Sequence, residues 1–373
     1  MEYLIMSLIT PMGPLDRLEL ESDDCLQSLL RHDKHQMLEG LIVEGYFRQF
    51  VETLHDIGII TLPIALVKSS YKDPVLGWKK PAWWLWVYDE KFQDSISLKE
   101  RLYSKKHVLI ECTYDRKNYD FILDSWNSQE VKEPVQKYMM KKRNIPRLQY
   151  HAPAERVSND KRYMQAFWGG LKGVYNERLF NDVVLHRLFK NCVISPFFTA
   201  LWDVDNIVSF SDGRLMQFEV KHKYPFYRNN RLCFGLNFGQ LNVMKDLANM
   251  GINTLHMIMV KPKWNDELSP GYLLQDPSLR NKVLLIAYRI DLKQLDELGN
   301  RNCETSDYKT SFDGNKKLKY IDVPVEKFHV IGTLDTSIAK LAQNIVLAAN
   351  GALSHPVTTK MLEDSRFNEK IEG

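Results

Sequence analysis

WDVDNIVSFSDGRLMQFEVKHK, residues 202–223, decides how this chain is read. Two apolar, extended runs flank Ser211-Asp212-Gly213, and Asp-Gly between such runs is a strong hairpin signal. Strand side chains alternate between faces with a period of two. In the second arm Met216, Phe218 and Val220 share one face, while Gln217, Glu219 and Lys221 share the other. In the first arm Trp202 and Val204 point one way, and Asp203 and Asp205 the other. Folding the arms about the turn brings position 205 opposite 219–220, and direct cross-strand neighbours lie ~5 Å apart. One register therefore gathers Asp205, Glu219 and Lys221.

Two carboxylates suit oxygen-loving Mg²⁺ and leave coordination positions for a phosphate oxygen and a water. The metal polarises the phosphate and lowers the pKa of that water. A nearby lysine orients the water and offsets charge developing on the phosphate. An arbitrary Glu-x-Lys would be a surface ion pair contributing ~0–1 kcal/mol. Here the preceding acid, the Asp-Gly turn and a helix on each side raise the tripeptide above that background.

Those helices follow from the pattern. GGLKGVYNERLFNDVVLHRLFKN (169–191) is amphipathic, with Phe180, Val184 and Leu188 on one stripe. FGQLNVMKDLANMG (238–251) reads as a short helix closed by Gly251. INTLHMIMV (252–260) and KVLLIAYRI (282–290) read as apolar strands. A helix that returns the chain to the sheet implies a mixed α/β layer.

Asp205 in WDVDNIV, Glu-Val-Lys at 219–221 and this order of elements resemble the PD-(D/E)XK nuclease superfamily over roughly residues 165–265. The resemblance implies a restriction-endonuclease-like αβββαβ core, a mixed sheet flanked by helices. It implies that Asp205 and Glu219 bind a divalent metal, Mg²⁺ with Mn²⁺ as a substitute, and that Lys221 assists the attacking water. The backbone carbonyl of Val220 would be a further ligand. Many members carry a glutamate on the helix before the first strand, and Glu177 shares the stripe of Phe180 and Val184. Many also open the following helix with a glutamine, a place Gln240 fills. No proline precedes the aspartate, which leaves Asp203 as the second choice beside Asp205.

Lys223, Arg228 and Arg231, with Tyr224 and Tyr227 between them, follow the motif and could contact backbone phosphates. Any such attraction is local, because the net charge of +3 is too small to indicate a partner. Hydrophobic residues make up 44% of the chain and charged residues 26%, as in an ordinary globular protein. Five cysteines form no Cys-x-x-Cys pair, which fits a reducing cytoplasm rather than a zinc ribbon or disulfide framework. The opening MEYLIMSLITPMGPL lacks a basic leader and reads as a structural strand, and no apolar run reaches membrane-spanning length. There is no phosphate-binding loop, no Gly-x-Ser-x-Gly and no dinucleotide turn, and His32 and His35 lack metal partners nearby in sequence.

Residues 1–150 read as a separate N-terminal α/β module for substrate or partner recognition, and 151–373 as the nuclease-like domain with a C-terminal helix. In the module, 36–58 has helical spacing, while AWWLWVYDE (82–90) and HVLIECTYD (107–115) are strand-like, with Trp83, Trp84 and Trp86 as core residues. The polar stretch 126–165, with KKRNIPR at 141–147, is the candidate linker. The expected function is a metal-dependent endonuclease acting on DNA, RNA remaining open, with a homodimer or larger nucleoprotein complex as the assembly. Two alternatives stand beside it: a structure-specific or transposon-end-cleaving nuclease, and a non-catalytic binding subunit on a nuclease scaffold.

Overall fold

The chain changes sheets at Asp205. In the computed structural model the run expected to be one extended arm is two strands, Leu201–Val204 and Asn206–Ser209, separated by that single residue. The structure describes residues 7–31, 38–69, 82–88, 94–104, 107–150, 161–198, 200–265, 271–301, 303–309 and 317–367. His32 and His35 lie outside them.

Strands are numbered along the chain. They are β1 (Ile9–Thr10), β2 (Gly13–Pro14), β3 (Ile60–Thr61), β4 (Ile64–Ser69), β5 (Ala82–Val87), β6 (Val108–Asp115), β7 (Asp120–Trp126), β8 (Gln129–Pro134) and β9 (Leu201–Val204). Next come β10 (Asn206–Ser209), β11 (Leu215–Lys223), β12 (Phe226–Arg228), β13 (Arg231–Asn237), β14 (Asn253–Val260), β15 (Leu284–Ile290), β16 (Glu304–Lys309), β17 (Lys317–Pro324) and β18 (His329–Thr333). One six-stranded sheet has the order β8-β7-β6-β5-β4-β9, and a second has β18-β15-β14-β11-β10-β3. The fold is therefore mixed α/β, with β11 and β14 parallel and their outer neighbours antiparallel.

The hairpin closes as its turn chemistry requires. Gly213 adopts φ +79°, Phe210 donates its amide to Arg214 at 2.9 Å, and β10 pairs with β11 from Ser209↔Leu215 to Asn206↔Phe218. The β14 side chains alternate as a strand buried on both faces should. Met257 and Met259 pack with helices Leu38–Glu52 and Ile338–Ala349, while Ile258 and Val260 pack beneath helix Phe238–Asn249. That last helix is capped by the Asn237 side chain, which accepts from Gly239 N at 2.7 Å.

Trp83, Trp84 and Trp86 are at most 1% exposed and fill both faces of the first sheet. The helix expected over 169–191 starts earlier. It runs as an α-helix over Lys161–Tyr175 and breaks at Asn176 (φ +50°), and after a short 3₁₀ turn the chain is helical again, with two π-helical stretches, Leu179–Leu185 and Phe189–Ile194. Such π segments are rare and cluster at functional sites. Two features were not anticipated. The expected linker contains β8 and helix Val135–Arg143, and β13 pairs with β17 in a four-stranded sheet, β12-β13-β17-β16.

The sheets do not divide at residue 150. β9 pairs with β4, β3 pairs with β10, and one buried cluster includes Leu8, Trp84, Val184, Val220 and Leu353. No helix among the described residues is long and apolar enough to cross a membrane. Because the core is shared, the fragment 151–373 is expected to show no cooperative unfolding transition, whereas the full chain unfolds cooperatively. Chemical denaturation followed by circular dichroism checks this, and a sharp transition in the isolated fragment would contradict it.

Candidate active site

β11 outruns its partner. Pairing with β10 stops at Phe218, so residues 219–223 keep β14 on one side, while on the other the chain has left for the first sheet. A strand amide facing such a gap needs a partner. The Val220 amide finds one in the Asp205 carboxylate, donating to Oδ2 at 3.0 Å. In a strand the N–H and C=O of one residue face the same neighbour, so the Val220 carbonyl faces the gap too.

Lys221 ties the two acids together. Its Nζ donates to Asp205 Oδ2 at 2.9 Å and lies 2.6 Å from Glu219 Oε1. Glu219 is fixed by further donors: Gln240 Nε2 reaches Oε1 at 2.6 Å and Gln217 Nε2 reaches Oε2 at 2.8 Å. Gln217 in turn accepts from Thr254 Oγ1 at 2.9 Å. The expected group of Asp205, Glu219, Lys221 and Gln240 is therefore one hydrogen-bonded cluster, with Glu219 only 3% exposed. Burial works against the Lys221 charge, but Asp205 and Glu219 outweigh it and hold the ammonium protonated.

Asp203 belongs to a different pair. Its Oδ2 lies 2.7 Å from Lys190 Nζ and 3.6 Å from Arg187 Nη1. Burial would raise its pKa, yet these two cations hold it well below the usual carboxylate range. With its charge committed there, Asp203 does not take the place of Asp205.

Glu177 does not join the cluster. The helix breaks after Tyr175, and Glu177 falls in the exposed 3₁₀ turn Asn176–Arg178. Another glutamate, Glu44 on helix Leu38–Glu52, lies 3.7 Å from Arg187, which also contacts Asp203. Its signal was in the sequence: Leu41, Glu44 and Phe47 follow one another at helical spacing, so an acid sits on a buried stripe. Desolvation, only partly offset by Arg187 and reinforced by Asp205, raises Glu44 to about 7. Desolvation and then Asp205 raise Glu219 to about 7 as well.

The basic residues after the motif are not a loose loop. Lys223 donates to the Gly235 carbonyl at 2.6 Å, and burial and then Lys221 lower its pKa to about 8. Arg228 pairs with Glu304 and lies 3.6 Å from Asp322, and Arg231 lies 3.4 Å from Glu326. The two arginines remain 44% and 61% exposed. Exposed pairs of this kind are worth ~0–1 kcal/mol, so a phosphate could exchange for the carboxylate.

Among the described residues, no three Asp, Glu, His or Cys side chains are grouped to hold a metal ion. The donors that do meet at the gap are two carboxylates and the Val220 carbonyl, an all-oxygen set suited to a hard cation completed by water and a phosphate. Among the described residues, Glu44 and Asp203 pair with Arg187, Asp203 also with Lys190, and Asp205 and Glu219 with Lys221. No protein-family model, curated protein or solved structure matches the chain.

Two stability predictions follow from these charges. Asp203→Asn removes the carboxylate shared by two buried cations, Lys190 and Arg187, and should cost about 3–5 kcal/mol, more than Asp205→Asn, whose partner Lys221 keeps Glu219. Denaturation midpoints compare them, and equal losses would refute the assignment. Glu219 binds its proton more tightly folded, at about 7, than at the ordinary 4.5, so the fold loses stability as pH rises between these values. In chelator, wild type should therefore lose more stability from pH 5 to pH 8 than Glu219→Gln, and parallel pH curves would contradict this.

Proposed function

We propose that the chain is a metal-dependent endonuclease of the PD-(D/E)XK type, hydrolysing DNA phosphodiester bonds. The observation that carries this reading is the junction of Asp205, Glu219 and Lys221 at the open edge of β11. A restriction-endonuclease-like core is the architecture proposed around it, with β10, β11 and β14 as central strands and helix Phe238–Asn249 supplying Gln240.

On this reading Asp205, Glu219 and the Val220 carbonyl hold Mg²⁺, and Mn²⁺ can replace it. When bound, the ion supplies polarisation of a phosphate oxygen and of a water. The chain's own residues do the rest. Gln240 and Gln217 fix both oxygens of Glu219, so its carboxylate is oriented before substrate arrives. Asp205 is held by the Val220 amide. Lys221, kept charged by its two acids, donates to the attacking water and offsets negative charge on the phosphate. Arg228 and Arg231 exchange their carboxylates for backbone phosphates beside the site.

A second reading, a non-catalytic nucleic-acid-binding subunit on a nuclease scaffold, draws on the same contacts. Lys221 already bonds to both acids and so offsets part of their charge without a metal.

Plasmid nicking with Mg²⁺ or Mn²⁺ separates the two. Wild type is expected to cut, and Lys221→Ala and Asp205→Ala to lose activity by at least ~10²-fold. Cutting at wild-type rates by both variants would place the chemistry elsewhere. A wild type that cleaves neither DNA nor RNA would favour the binding subunit.

A further inference from the structure

A cleft of about 430 Å³ opens at the edge of the second sheet and shares no lining residue with the cluster around Lys221. It is walled by β15, helix Leu292–Gly299, the turn into β18 and the end of helix Ile338–Ala349. Three cations line it, Arg289, Lys293 and Lys327, and among the described residues no acceptor or acid pairs with their side chains. Two of the lining acids are engaged: Asp291 caps helix Leu292–Gly299 through Oδ1, and Glu326 lies 3.4 Å from Arg231. Glu297 is the third.

Arg289 is the residue to explain. A cation beside a helix C-terminus usually serves the last carbonyls. Here Asn350, Gly351 and Ala352 already donate their amides to Val346, Ala348 and Leu347, at 3.0, 3.0 and 2.8 Å. Gly351, at φ +70°, leaves room for the guanidinium, since a Cβ there would stand 3.0 Å from Nη1. Nε is shut off from water with no acceptor, and the Nη groups have none either. In the same wall His329 Nδ1 is buried without a partner. A half-buried arginine rarely forgoes every hydrogen bond, because unpaired buried donors are costly. Its side chain is set for an acceptor that the chain does not supply.

We propose that this cleft binds a small organic phosphate, with Arg289 as its anchor. The inference is independent of the nuclease reading. A guanidinium fork meets phosphate oxygens in two parallel hydrogen bonds. A phosphomonoester brings close to two charges and three acceptor oxygens, enough to engage Lys293 and Lys327 as well. Glu297 would repel a second phosphate but accepts from a hydroxyl, which favours a sugar-bearing body over a polyphosphate. The volume agrees, because ligand clefts of ~300–1,000 Å³ hold more than a bare ion.

Titration calorimetry of the full chain in chelator tests this with ribose 5-phosphate and inorganic phosphate as probes, on wild type and Arg289→Gln, each checked for folding by circular dichroism. Arg289→Gln is expected to weaken ribose 5-phosphate binding about 10-fold or more. Wild type should prefer ribose 5-phosphate to inorganic phosphate, and equal affinities would overturn the organic ligand. Unchanged affinity in Arg289→Gln, or no binding by wild type at millimolar probe, would overturn the site. Should Arg289→Gln not fold, the double variant Lys293→Gln, Lys327→Gln alters only exposed side chains; weaker binding would support the site and unchanged binding would overturn it.

Discussion

The amide of Val220 needs a hydrogen-bond acceptor, and the chain supplies Asp205. The rest of the site depends on that bond. β11 continues past the end of β10, which would leave a strand edge with unmet backbone groups. The residue that closes the edge is the one at which the chain leaves for the other sheet. Its carboxylate therefore serves a structural need and stands in the gap at once. Strand period then sets Glu219 and Lys221 on either side of Val220, so the same geometry that satisfies one amide converges two acids and an amine.

This explains which part of the site could be read from sequence. The register needed only the Asp-Gly turn and a period of two, both local, and Asn206↔Phe218 places position 205 across from 219. The break at Asp205 was not legible, because it exists only where β4 pairs with Leu201–Val204. The choice between Asp203 and Asp205 was likewise long-range: Lys190 and Arg187 decide it, from a π-helical region whose hydrogen bonding leaves no mark in hydrophobic spacing. The helical acid expected at Glu177 does not join the cluster. An acid on an apolar stripe was sought on the helix nearest in sequence, and Glu177 was found. The helix breaks before that position, where Asn176 adopts φ +50°, and Glu177 is left exposed.

The basic residues after Lys221 mark another limit. Sequence shows a cation but not what it faces. Lys223 is spent on a backbone carbonyl, while Arg228 and Arg231 project from a hairpin turned at Asn229 and Asn230, both at positive φ. Their acidic partners come from β16, β17 and the turn after β17, segments distant along the chain. Tyr227 on the same hairpin is 57% exposed and donates to Glu363 at 2.6 Å.

Stability alone is a poor reason for so many charges in one place. A buried ion pair seldom recovers what desolvation costs, and apolar residues of similar volume usually serve a fold as well or better. Met216, Phe218 and Val220 show that the other face of β11 takes that course. On the face with Glu219 and Lys221 the chain instead keeps a buried carboxylate, Glu219, raised to about 7 beside a lysine that its two acids hold charged. The cluster is thus tolerated rather than optimised by the sheet.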